Sequence, residues 1–61
     1  MSEKRDLAAA LFEASDGLIR VAEYEKERGL NDASRISVKI ASSFSILAVN
    51  LEKRAEVEER K

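Results

Sequence analysis

An all-α fold, an antiparallel two-helix hairpin assembling into a homodimeric four-helix bundle, is the fold class this sequence predicts. Three observations lead there. The chain of 61 residues has no Pro and only two Gly, so little interrupts helical propensity. Charged residues form 38% of it and apolar residues 44%, a mixture that suits long solvated helices and not disorder. A single punctuation, Gly29-Leu30-Asn31-Asp32, separates two long stretches of helical periodicity. The whole of 1–61 therefore reads as one helical-hairpin domain, with a helix over about 2–28, a turn over 29–32 and a helix over about 32–59.

The first helix is expected to open on Ser2 as its N-cap. At the helical period, Leu7, Leu11, Ala14, Leu18 and Ala22 form one stripe. Ala8, Phe12, Ser15 and Ile19 widen it on one side, and Ala10, Gly17, Val21 and Tyr24 on the other. Glu13, Asp16, Arg20, Glu23 and Glu27 hold the solvated face. Gly17 is unfavourable inside a helix, which points to another helix approaching near Ala10, Ala14 and Gly17.

At the turn, Gly29 suits the left-handed position just past a helix end, and Leu30 the apolar contact that accompanies it. Lys26 and Arg28 place cations in the last turn of the first helix. Asn31 or Asp32 is expected to cap the next helix with its side chain. Stop and start signals this close together imply antiparallel neighbours.

The second helix carries a wide stripe through Ile36, Ile40, Phe44, Leu47 and Leu51, with Ala33, Ala41, Ala48 and Ala55 alongside. Val38 and Val49 fall on a different side, and Ile46 and Val57 on a third. A helix apolar on more than one side needs more than one neighbour. Folding about residue 30 pairs positions whose numbers sum to about 60, placing Phe12 opposite Ala48, Ile19 opposite Ala41, and Phe44 opposite Ala14 or Ser15.

A chain this short lacks core volume, and small folds usually draw on disulfides, a metal or association. Without Cys or His, disulfides, thiolate metal sites and the commonest general base are unavailable. Association with a second copy is the expected remedy, with Ala10, Gly17, Val38 and Val49 as candidate self-association positions. No cofactor is expected. The first ten residues lack the apolar core of a secretory signal, and Ile40–Leu51 is too short to span a membrane, so a cytoplasmic protein is expected.

No catalytic constellation is legible. Ser34, Ser37, Ser42, Ser43 and Ser45 crowd the second helix, yet no His accompanies them. Close helix packing, with hydroxyls bonded to carbonyls, is the plainer account of serines in a helix. From Ala33 to Leu51 the only charges are Arg35 and Lys39, whereas Glu13–Glu27 carries five acids against Arg20 and Lys26. Arg35, Lys39, Ser42, Ser43, Ile46 and Asn50 form a candidate partner-binding strip away from the main stripe. The acids alternate with Lys and Arg as solvated helix faces do, including the favourable pair Glu56–Arg60.

The function expected is that of a small, non-catalytic interaction or regulatory protein acting as a helical oligomer, with a protein partner on that strip. The second reading is a nucleic-acid-binding helical dimer that contacts phosphates through Arg35 and Lys39. A net charge of −1 and the absence of interleaved aromatics weigh against it.

Overall fold

The computed structural model describes Ser2 to Arg60. It consists of α1, Glu3–Glu27, and α2, Asn31–Glu59, packed as an antiparallel hairpin. The Cα envelope measures 50 × 15 × 9 Å, one flat layer two helices wide. No helix among the described residues is long and apolar enough to cross a membrane.

Local chemistry fixes the ends. Ser2 has extended backbone, and its hydroxyl accepts from the Arg5 N–H as the expected cap. Glu3 and Asp6 place carboxylates at the positive end of α1. At the other end Gly29 adopts φ 78°, the left-handed conformation only glycine enters freely. Its N–H donates to the Lys26 carbonyl, and the Leu30 N–H to that of Glu25. These two bonds form the Schellman motif, so a single residue in the left-handed region reverses the chain. Leu30, 52% exposed, is not buried by the turn.

One expectation at the turn is corrected. The N-cap of α2 is Leu30 and not Asn31 or Asp32, and no side chain caps it. The tight reversal uses the backbone of Leu30 to close the first turn, with the Ser34 N–H donating to its carbonyl. Asn31 thereby enters the helix as its first residue, and Asp32 contributes only its charge to the first turn.

The register agrees with a fold about residue 30. Cross-helix hydrogen bonds join Ser34 with Ala22, Ser15 with Ala41 and Ser45, and Ser37 with Glu25. The composition of the seam differs from the large-against-small pairing expected. Its buried residues are Ala8, Ser15 and Ala22 on α1, and Ser37, Ala41, Ala48 and Ala55 on α2. Among the described residues no larger side chain is fully buried. Ala and Ser let the backbones approach closely, and the larger residues are displaced to either side of the contact.

Candidate functional site: an uncovered apolar face and a polar outer edge

The seam residues explain what surrounds them. Ala8, Ser15 and Ala22 recur every seven residues, as do Ser34, Ala41, Ala48 and Ala55. Two helices in contact share a seam of that period. With the seam fixed, the roughly 100° turned per residue places every other side chain. On α1, Leu7, Leu11, Ala14 and Leu18 lie to one side of the seam. On α2, Phe44, Leu51, Ile40 and Leu47 lie to the same side, because antiparallel helices present like-signed rotations to one face of the layer. Both stripes are centred about 60–70° off the seam.

That face is therefore continuous, apolar and uncovered. Leu7 is 56% exposed, Ile40 41% and Leu47 50%, while Leu11, Leu18, Phe44 and Leu51 are half-buried between the helices. Charges appear at its ends only. Glu25 accepts a 2.6 Å hydrogen bond from Ser37 near the turn, and Lys4 pairs with Glu58 near the termini.

The opposite face holds less apolar surface: half-buried Phe12, with Ile19, Val38 and Val49 more open. Its open end is closed by Arg5, whose Nε and Nη2 each donate to Glu59 at 2.8 Å. This bidentate hydrogen bond holds the Glu59 carboxyl below the usual glutamate range and raises the Arg5 guanidinium further.

The candidate positions sort cleanly on this layer. Arg35, Lys39, Ser42, Ser43, Ile46 and Asn50 are all exposed along the outer edge of α2, turned away from α1. Ile46, 64% exposed, sits in a shallow open depression lined by Ser45, Val49, Asn50 and Lys53. Arg35 lies 3.7 Å from Asp32, and the Ser43 hydroxyl donates to the Lys39 carbonyl, leaving the Lys39 ammonium in solvent. The four self-association candidates are not brought together. Ala10 and Gly17 lie on the outer flank of α1 beside the larger apolar face, whereas Val38 and Val49 belong to the opposite face.

The serine cluster divides in two. Ser34, Ser37 and Ser45 line the seam with Ser15, donating to the Ala22 carbonyl at 2.8 Å, to Glu25, and to or from Ser15. Ser42 and Ser43 stand on the outer edge. Among the described residues no cluster of acids is placed to hold a metal ion. Tyr24 is exposed, with the Arg28 guanidinium stacked 3.6 Å from its ring centroid. Comparison with family models, curated proteins and solved structures finds no match for this chain.

What sequence reasoning missed was the direction of the stripes. The seven-residue recurrence of Ala and Ser was the available signal. Weighting positions by hydrophobicity hides it, because Ala and Ser score low beside Leu and Ile.

Proposed function

We propose that this chain is a small non-catalytic interaction protein of regulatory type that works as a homodimeric four-helix bundle. The observation that carries the reading is the shared rotation of both apolar stripes off the hairpin seam. In a four-helix bundle each helix has two neighbours about a right angle apart, and its apolar arc must span both directions. Here the arc of each helix starts at the seam and continues onto one face of the layer. A footprint of 50 by 15 Å offers on the order of 750 Å² per copy, close to the roughly 800 Å² per partner of a standard stable interface. A buried core of Ala and Ser alone gives the isolated hairpin little hydrophobic stabilisation, so covering this face supplies the missing part.

With the apolar face occupied, the outer edge of α2 remains free on each copy and is the surface for a protein partner, centred on Ile46. Sedimentation equilibrium at micromolar concentration tests the assembly. A dimer is expected, and Leu47→Glu is expected to convert it to a monomer. A folded wild-type monomer at that concentration overturns the reading. Ile46→Asp tests the outer edge: the dimer is expected to persist while a protein co-purified from the native host is lost.

A second reading is favoured by one observation, the run from Ala33 to Leu51 in which Arg35 and Lys39 are the only charges and both are exposed. It makes the dimer a phosphate-contacting nucleic-acid binder. The double change Arg35→Ala, Lys39→Ala then weakens binding and lowers its salt slope by about one for every phosphate left without its cation. Unchanged function in that variant discards this reading.

A further inference from the structure

We infer that the two copies stack with their turns at the same end, α1 of each copy lying against α2 of the other. This rests on the dimer reading and adds its arrangement. Two flat hairpins joined by their apolar faces with helices aligned admit two two-fold arrangements. An axis parallel to the helices sets α1 on the partner's α2 with the turns together. An axis across the helices sets α1 on α1 and α2 on α2, with the turns apart.

The outer margins of the face are unequal, and this decides between them. Over the middle of α1 the margin is small, Ala10, Ala14 and Gly17, between Leu7 towards the N-terminus and Val21 and Tyr24 towards the turn. Nothing lies within 4 Å of the place a Gly17 Cβ would occupy, so within the hairpin its small size serves no contact. At the neighbouring levels the α2 margin is large, Ile40 and Leu47, before it turns polar at Ser43 and Asn50 on the outer edge. With turns together the register of the hairpin repeats between copies. Leu47 of one copy then comes level with Ala14 of the other, and Ile40 with the gap between Gly17 and Val21. Large side chains enter a groove of small ones on both sides of the axis. With turns apart, the small middle of one α1 margin faces that of the other copy, and no large side chain enters the groove.

Charges at the two ends agree. With turns together, Arg54 comes level with Asp6 of the other copy near the termini, and Arg28 with Asp32 near the turn. Each brings opposite charges to one level, the carboxylates from the outer edges of their helices. With turns apart, Asp32 instead comes level with Glu58, a like-charge pair.

The absence of native Cys makes the test direct. Asn31→Cys carrying a nitroxide label reports the distance between the two turns by pulsed electron resonance, with sedimentation on the same sample. Turns together give a distance of about 15–20 Å, the diagonal of the bundle at roughly 1.4 helix spacings plus the label arms. Turns apart give a distance approaching the 50 Å length of the layer. A dimer with the long distance overturns the arrangement and leaves the dimer standing; a monomer overturns both. Gly17→Leu gives an independent check. It fits the open space in the hairpin but fills the groove, so at least a tenfold weaker dimer with unchanged helix content is expected. Undiminished dimer affinity in that variant refutes the arrangement.

Discussion

The Ser15 hydroxyl donates to the Ala41 carbonyl oxygen at 2.9 Å, from one helix to the backbone of the other, and lies 2.8 Å from the Ser45 hydroxyl. A carbonyl already bonded within α2 thus receives a second donor across the seam. This geometry requires a small residue at position 15. Ser15→Leu is expected to destabilise the fold by about 1–3 kcal/mol through overpacking. Ser15→Ala removes one buried hydrogen bond and is expected to cost about 1 kcal/mol. Urea unfolding measures both. Equal stability of the Leu variant contradicts a close-packed seam.

Phe44 distinguishes the hairpin from its assembly. It is half-buried within one copy and lies in the middle of the uncovered face. Covered by a partner, Phe44→Ala is expected to cost about 3–5 kcal/mol for each buried ring. The loss should appear as a thermal midpoint that falls and depends more steeply on protein concentration. A loss below about 1 kcal/mol means that no partner covers the ring and the face is unoccupied.

Gly29 at φ 78° sits where a Cβ is strained whatever the surrounding space. Gly29→Ala is expected to destabilise by about 1–2 kcal/mol, the cost of a left-handed L-residue. Gly29→Asn should recover part of this, because Asn tolerates that region better. Thermal denaturation of the two variants side by side provides the comparison, and a harmless Ala variant contradicts the Schellman turn.

Acid is expected to loosen the open end of the hairpin. Hydrogen bonding from Arg5 holds the Glu59 carboxyl below its unfolded value. The folded state therefore binds fewer protons than the unfolded state between those two values, and stability rises with pH there. The contribution is present above the unfolded pKa and is lost as pH falls through the folded one. Carbon-detected titration of Glu59 should show a midpoint below the ordinary value of about 4.3, returning to it in Arg5→Ala. An unshifted midpoint in the wild type shows that the pair does not form. The partners are solvent-exposed, so the effect on global stability is small.

The two helices, their antiparallel register and the Ser2 and Gly29 termini were legible because each rests on a local rule. A hydroxyl before an acidic first turn and a glycine after a basic last turn act within a few residues. The α2 cap was misplaced because Asn31 and Asp32 both have the right chemistry, and the compactness of the Schellman turn decided against either. The aim of the apolar stripes was not legible from their centre alone. Leu7, Leu11 and Leu18 mark where the greatest hydrophobicity lies, whereas Ala8, Ser15 and Ala22 mark where a backbone can come nearest. In a chain with one intramolecular neighbour those two directions need not coincide. The outer-edge strip is exposed because its period turns it away from α1.

The register also governs how the chain closes on itself. Its cross-helix bonds span very different lengths of chain: 12 residues from Ala22 to Ser34, 26 from Ser15 to Ala41, and 54 from Arg5 to Glu59. The entropy of closing a loop grows with its length, so the bond beside the turn forms at the least cost. Every later bond then closes only the short segment left by the one before. Folding within a copy accordingly runs as a zip from Gly29 towards the termini, with mostly local steps and the speed that low contact order confers. Amide exchange should read the same order in reverse: protection greatest near Ala22 and Ser34, and least beside Arg5 and Glu59.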